Sequence, residues 1–252
     1  MLSYERQNKI ADYIRSNQSV TVKELKDAFD ISPSTVRRDL EALETEHLIR
    51  RVHGGAVAVS DGEELPILER AAHQAAAKRR IGERAAQFVD DGDTILITGG
   101  TTTVTLVPHL KGISDLTVIT NSVNCVSQLA HYPDITTVVL GGWLRHSELS
   151  LLGRFVDRML EELRPNKVFH GIYSLSVKGG LMGSDFQEVR TDRGLIAAAP
   201  QVIVMADHTK FNRQGVVRLA PITVASVIVT DTEAPSSEVA ALNALGIRVI
   251  QA

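Results

Sequence analysis

Two stretches of this chain combine residue types and spacings suited to holding phosphate. The first is Ser32-Pro33-Ser34-Thr35-Val36-Arg37-Arg38-Asp39-Leu40. Ser32 can cap a helix N-terminus, and Pro33 suits the first helical position, where its missing N–H costs nothing. Val36, Leu40 and Leu43 fall at i, i+4 and i+7, one buried stripe. That leaves Ser34, Thr35, Arg37 and Arg38 on the other side, near the front of the helix. Short hydroxyls and paired arginines there suit phosphates and the base edges of a major groove. Taken alone, the stretch fits an amphipathic surface helix with two solvated arginines equally well.

The second stretch is Gly99-Gly100-Thr101-Thr102-Thr103. The glycines allow a tight turn, and the threonines open a helix, so free N–H groups, a helix dipole and hydroxyls form a phosphate cradle. The spacing is neither that of a P-loop nor that of a dinucleotide-binding glycine turn. A capped turn without ligand is the competing reading. Asp207-His208-Thr209-Lys210-Phe211 adds a lysine for phosphate charge and a carboxylate for a sugar hydroxyl. Arg145 and His146, after Gly142, are weaker candidates. His146 reads as a polar lining residue, since no second ligand stands at metal spacing.

These residues need elements to position them. From Asp93 onward, short apolar runs alternate with helical stretches: 94–98, 116–120, 136–140, 167–169, 202–206, 224–230 and 247–250. This predicts an α/β domain with a mainly parallel sheet, whose ligands collect beyond the carboxyl ends of its strands. Glycine, hydroxyl, amide and carboxylate groups follow nearly every run, among them Asn121-Ser122 after the second and Gly141-Gly142 after the third.

Ahead of that domain, Ile10, Ala11 and Ile14 lie at helical spacing, and Thr21-Val22-Lys23-Glu24 reads as a capping box opening a short helix through Leu25, Ala28 and Phe29. Ser32 follows closely, so the pair makes a helix-turn-helix. Leu48–Val52, a turn at His53-Gly54-Gly55 and Ala56–Val59 form a hairpin wing. Residues 1–56 hold nine Lys or Arg against nine Asp or Glu, so this head is not basic overall. Arg37 and Arg38 near the start of the third helix, with Asp39, Glu41, Glu44 and Glu46 toward its far end, keep a local DNA surface open.

Composition sets the remaining bounds. A chain of 252 residues suits two domains, and a net charge of −3 excludes a bulk polycation such as an architectural nucleoid protein. Aromatics at 4% argue against base stacking on single strands. Cys125, the single cysteine, excludes a disulfide framework and a cysteine-rich zinc site, and reads as a small buried apolar residue. No leader pattern or long apolar run is present, so a cytoplasmic protein without membrane association is expected. Residues 60–66 read as a linker, residues 67–89 turn helical, and Lys78-Arg79-Arg80 reads as a solvated helix face.

Arg6, Ile10 and Ile14, followed by Ser32-x-x-Thr35-Val36-Arg37-Arg38-Asp39-Leu40 and the Leu48–Ala56 wing, resemble the N-terminal pattern of DeoR-family transcriptional regulators. The resemblance implies sequence-specific binding of double-stranded operator DNA. Ser34, Thr35, Arg37 and Arg38 would face the major groove, Arg51 and His53 would touch the backbone or minor groove, and Thr21, Lys23 and Ser32 complete the candidate surface. The second half is similar to the family's effector domain, related in fold to ribose-5-phosphate isomerase and binding phosphorylated sugars. Its matching pieces are Gly92-Asp93, Gly100 to Thr103, Thr120 to Ser122, Gly141-Gly142 and Asp207-x-x-Lys210-Phe211. The implied effector-binding set is Gly100, Thr101, Thr102, Thr103, Asn121, Ser122, Gly142, Arg145, Glu188, Asp207 and Lys210. Two positions depart from the family: Thr98-Gly99, where serine or aspartate-serine is frequent, and Asp192, where lysine is common.

The expectation is an N-terminal winged helix-turn-helix (1–58), a linker (59–75) and an α/β effector domain (76–252). It implies a regulator, most often a repressor of a carbohydrate-utilisation operon, working as a homodimer or homotetramer without cofactor or metal. The alternative is a sugar-phosphate isomerase with an added DNA-binding head, Asp207, Glu188 and Lys210 supplying acid–base groups.

Overall fold

The computed structural model describes residues 3–17, 19–45, 49–52, 54–58 and 67–252. The chain forms two compact units, Met1–Glu63 and Glu64–Ala252.

The first unit runs α1 (Ser3–Asn17), β1 (Ser19–Thr21), α2 (Val22–Phe29), α3 (Pro33–Thr45), β2 (Ile49–Val52) and β3 (Gly55–Ala58). The capping box forms: the Glu24 amide donates to Thr21 Oγ1 at 3.2 Å, and the Thr21 amide donates to Glu24 Oε2 at 2.7 Å. The helix ends at Asp30, in the left-handed conformation with φ 50°. Pro33 is the first residue of α3, and Ser32 Oγ accepts the Thr35 amide at 3.2 Å. Val36, Leu40 and Leu43 are buried against Ile10, Ile14 and Leu25. Antiparallel β2 and β3 form the wing, with Ile49 opposite Ala58 and Val52 opposite Gly55. Strand β1 joins on the other side of β3, a pairing that sequence reasoning missed because three residues overlapping a capping box carry no strand period. Gly55 is required there, since a Cβ would lie 2.1 Å from the Val20 carbonyl oxygen.

One expectation for this unit is corrected. Asp39 lies midway along α3 rather than toward its far end, and it is 0% exposed. It accepts Arg6 Nε at 2.6 Å and Arg6 Nη2 at 3.0 Å, a two-pronged pair that joins α3 to α1.

The second unit opens with α4 (Ile67–Ala72), which lies within the stretch assigned to the linker, and α5 (Ala75–Ala86). There follow β4 (Thr94–Ile97), a 3-10 helix (Thr103–His109), β5 (Thr117–Thr120), α6 (Val123–Leu129), β6 (Thr136–Val139), β7 (Trp143–Arg145), β8 (Ser150–Leu152) and α7 (Arg154–Glu162). The chain continues through β9 (Lys167–Gly171), β10 (Ser174–Ser176), β11 (Gly180–Gly183), α8 (Phe186–Ala197), β12 (Gln201–Met205), β13 (Val217–Ala220), β14 (Val227–Thr230), α9 (Ser236–Ala244) and β15 (Arg248–Gln251).

All seven apolar runs become strands of one parallel sheet, ordered β15-β14-β12-β9-β4-β5-β6. Alternate residues of β4 face opposite layers: Ile95 and Ile97 pack with α5, the 3-10 helix and α6, while Leu96 packs with α7, α8 and α9. Burial on both faces is why the five inner runs read as apolar rather than alternating, while the edge strands β6 and β15 keep exposed residues. Cys125 is buried in the first layer, and burial pushes its thiol up to about 12. The chain builds β4, β5 and β6 outward, then returns to lay β9 on the other side of β4. The order therefore reverses between β4 and β9, where a crevice opens at the strand carboxyl ends. The β7–β8 hairpin and the small antiparallel sheet β10-β11-β13 lie outside this framework. Among the described residues no helix is long and apolar enough to cross a membrane.

Candidate functional site

A pocket lies at that reversal. Gly99, Gly100, Thr101 and Thr102, following β4, form one wall, and Gly171, Ile172 and Tyr173, following β9, form another. Gly100 has φ 139°, a conformation that favours glycine and lets the loop turn under the pocket. Asn121, after β5, ties the loop in place: its Oδ1 accepts the Gly99 amide at 3.1 Å and its Nδ2 donates to the Leu151 carbonyl at 3.1 Å. Lys210, after β12, is also part of the lining. On α8, Glu188 and Asp192 stand four residues apart on the pocket-facing side.

Gly100, Thr101, Thr102, Asn121, Glu188 and Lys210 are thus brought together as lining residues. The rest of the candidate set stands one layer back. Thr103 Oγ1 donates to the Thr98 carbonyl at 2.9 Å, holding the turn. Ser122 caps α6 through the Cys125 amide at 3.3 Å. Asp207 accepts the Thr209 amide at 3.0 Å and the Thr209 hydroxyl. Gly142 lets the chain pass Leu152, whose carbonyl oxygen a Cβ would meet at 2.5 Å. Arg145 pairs with Glu188 at 2.7 Å, steering that carboxylate rather than lining the pocket. His146 is exposed. The expected helix after the threonines is a seven-residue 3-10 helix containing Pro108, so it brings little dipole to the cradle.

The basic run on α5 is corrected as well. Arg79 and Arg80 are exposed, but Lys78 is 4% exposed and its Nζ donates to the Arg70 carbonyl at 2.6 Å. Burial pushes its ammonium down to about 8, opposed by Asp207 and reinforced by Lys210 and Arg70. A bound phosphate would relieve that crowding of positive charge.

Among the lining side chains that sequence reasoning missed are two charged and two buried polar ones. Arg70 reaches in from α4 to pair with Glu148, a residue 78 positions away. His170 on β9 and Ser150 on β8 are the others, both buried. Among the described residues, neither ring nitrogen of His170 nor the hydroxyl of Ser150 has a hydrogen-bond partner. Leaving such groups buried and unsatisfied costs about 1–3 kcal/mol each. Burial pushes the His170 imidazole down to about 4, so it is neutral at physiological pH. The strand periodicity placed these residues, but which side chains converge depended on contacts between distant strands. The cavity volume is about 50 Å³, room for several waters at about 10–15 Å³ each.

Among the described residues, His208, Asp231 and Glu233 bring possible metal-ligating atoms within 4.8 Å of one another. Hydrogen bonds among themselves account for the grouping, since Asp231 accepts the amides of His208 at 2.8 Å and Glu233 at 2.9 Å.

The first unit carries a different kind of surface. Ser34, Arg37 and Arg38 are exposed on α3 and Thr35 is half-buried, so the side opposite the core stripe is presented outward. Ser32 Oγ lies 2.8 Å from Ser34 Oγ and 2.9 Å from Thr35 Oγ1, a hydroxyl cluster at the helix start. A concavity between α2, α3 and the wing is lined by Thr21, Lys23, Lys26, Arg37 and Arg51. Arg51 also pairs with Glu44 at 3.7 Å. His53, the other wing candidate, lies outside the described residues, as does the 60–66 linker.

Comparison with known proteins agrees with both halves. Residues 6–61 match a DeoR-like helix-turn-helix domain and residues 73–232 match a DeoR C terminal sensor domain. The chain is 34% identical over 250 residues to the uncharacterized HTH-type transcriptional regulator YulB of Bacillus subtilis, covering 99% of this chain and 96% of that one. It is 32% identical over 237 residues to the glycerol-3-phosphate regulon repressor of Escherichia coli, covering 94% of each. A solved ribose 5-phosphate isomerase A from Neisseria gonorrhoeae superposes with a TM-score of 0.41 at 18% identity, covering 54% of this chain and 53% of that one. The relatives are transcriptional regulators rather than enzymes, which sets aside the isomerase alternative. With a helix-turn-helix and a sensor domain both matched and relatives spanning its length, this chain belongs to the DeoR family of DNA-binding transcriptional regulators.

Proposed function

We propose that this protein represses a carbohydrate-utilisation operon and that a phosphorylated sugar or polyol bound in the β4/β9 pocket lowers its affinity for operator DNA. One observation carries the ligand part: the Gly99–Thr102 loop and Lys210 line the same pocket at the sheet's reversal point, with Lys78 buried near enough to feel the charge of Lys210. Backbone N–H groups, hydroxyls and cationic side chains together suit a phosphate dianion. The naming of a relative for glycerol 3-phosphate accords with a phosphorylated effector.

On the DNA side, Arg37 and Arg38 read base edges or grip phosphate in a major groove, with Ser34 and Thr35 beside them. Ser32, Thr21, Lys23, Arg51 and His53 hold the flanking backbone. A homodimer or homotetramer presents two such helices, and the effector acts by changing their spacing. It shifts DNA affinity only by as much as its own affinity differs between the two states. The test is titration of a labelled operator fragment with and without a panel of sugar and polyol phosphates. At least one compound is expected to weaken operator binding about tenfold or more. A panel without effect rejects the ligand assignment, while retention of operator binding by the double variant Arg37→Ala/Arg38→Ala rejects the recognition helix.

A further inference from the structure

The parallel sheet ends at β6, which pairs with β5 on one side and, among the described residues, with no strand on the other. The Thr136 amide donates to the Leu116 carbonyl at 3.0 Å, and the Leu140 amide to the Thr120 carbonyl at 2.8 Å. Alternation along the strand therefore turns the N–H and C=O groups of Thr137 and Val139 outward, away from β5. Folded proteins usually guard such an edge with charge, proline or a bulge. The opposite edge follows that rule, since β15 carries an exposed Arg248. Strand β6 reads Thr136-Thr137-Val138-Val139, in unbroken register with β5, and carries none of these guards.

Apolar side chains surround the open edge. Val139 is 40% exposed, Trp143 47% and Phe155 63%. The Gly141 amide donates to Met159 Sδ at 3.2 Å, which sets α7 beside the end of the strand, with Phe155 one turn before Met159. A Cβ on Gly153 would lie 2.7 Å from Trp143 Nε1, so the indole covers the turn into α7. Leu144 on β7 and Val123 at the start of α6 are exposed as well. Aromatic and aliphatic groups gathered around an unpaired strand mark a surface that another protein covers.

We infer that β6 is the contact between two copies of this chain, paired antiparallel about a two-fold axis at Val138. The hydrogen-bond set is self-complementary. Thr137 stands opposite Val139 of the partner subunit, each exchanges N–H and C=O with the other, and the outward groups of both strands are satisfied. The same axis turns the second α7 end for end. Arg154 and Arg158 in the first half of α7 then lie toward Glu161 and Glu162 of the partner subunit, and all four positions are exposed. A helix that is basic first and acidic after is complemented by its own copy. The inference rests on the two-copy reading proposed above and names the surface that joins the copies. Strand β6 runs through Gly141-Gly142 into the β7–β8 hairpin, whose Glu148 and Ser150 line the pocket, so the ligand site and the contact share one segment of chain.

The test is the mass of the full chain in solution, by light scattering, together with cross-linking. The wild type should run as a dimer or tetramer. Thr137→Pro removes an outward N–H and leaves the ladder with β5 intact, while Val139→Lys adds a charge to the edge. Each should halve the wild-type mass, with circular dichroism reporting retained secondary structure. In the paired strands the two Val138 Cα atoms stand about 4.5 Å apart, within disulfide range. Val138→Cys should therefore give a disulfide-linked dimer on mild oxidation, a band the wild type lacks because Cys125 is 0% exposed. If Thr137→Pro fails to fold, Val139→Lys and the cross-link still decide. Wild-type mass in both edge variants, or no cross-link from an oligomer of Val138→Cys, overturns the inference and leaves the proposed function standing. A monomeric wild type overturns both this contact and the two-copy reading.

Discussion

The two units hold their functional side chains under opposite conditions. On α3, Arg37 and Arg38 are exposed and make no part of the core, which is built by Val36, Leu40, Leu43 and the buried Arg6–Asp39 pair. In the sensor pocket, Thr101, Thr102, Asn121, Ser150 and His170 are all buried, so the groups that meet a ligand are also groups whose burial the fold must offset. The DNA surface can therefore change with little effect on stability. Changes in the pocket should cost more, because its polar side chains are buried.

The sharpest challenge to that contrast comes from the DNA surface, where the expected effect is greatest. Arg37→Ala/Arg38→Ala should lose about 2–6 kcal/mol of operator affinity, from about 1–3 per bidentate base contact, with an unchanged melting temperature. A melting temperature that falls with affinity would show that the DNA surface is not independent of the core. Arg6→Met should do the converse, costing about 3 kcal/mol in urea unfolding because it removes the cation from the buried Asp39 carboxylate and leaves it the Gln7 amide at 3.3 Å.

The pocket should reveal itself through pH. His170 has its folded value depressed to about 4 from 6.5, so between those values the unfolded chain binds a proton that the folded chain does not. Stability attributable to this group is present above pH 6.5 and is lost as pH falls toward 4, by up to about 3 kcal/mol. His170→Leu should flatten the acid limb of the stability profile by that amount, and an unaltered limb would show the imidazole to be solvated.

Smaller effects sharpen the comparison further. Thr21→Ala removes the capping box and should cost about 1 kcal/mol, confined to the DNA-binding unit and visible as faster amide exchange in α2. Lys78, pushed down to about 8 by burial, loses its charge as pH rises through that value. Affinity for a phosphorylated ligand should therefore decline severalfold above pH 8, and Lys78→Met should abolish that decline.

Legibility followed the same division. Local signals carried the DNA-binding unit: Thr21 and Glu24 three residues apart, Pro33 at a helix start, and the Val36, Leu40 and Leu43 stripe all form as their spacing predicts. Asp39 was misread because its partner lies 33 residues away. The five inner parallel strands were legible because burial on both faces makes them nearly continuously apolar, and the edge strands β6 and β15 through their short apolar runs. The β7–β8 hairpin and the β10-β11-β13 sheet were not, being strands of three or four residues interrupted by glycine. Residues at strand ends, such as Thr101, Asn121 and Lys210, could be placed in the pocket from position alone. Arg70, Glu148 and Lys78 could not, since ionic residues look solvated until the partner that buries them is known.

On the function proposed above, a ligand in the pocket of one unit sets the DNA affinity of the other. The direct measurement is operator affinity of the wild type and of Lys210→Ala, each with and without the sugar or polyol phosphate that binds most tightly. Both proteins should bind operator equally without ligand; the ligand should weaken the wild type about tenfold or more and leave Lys210→Ala unmoved. Equal weakening of both proteins, or of neither, would contradict the account.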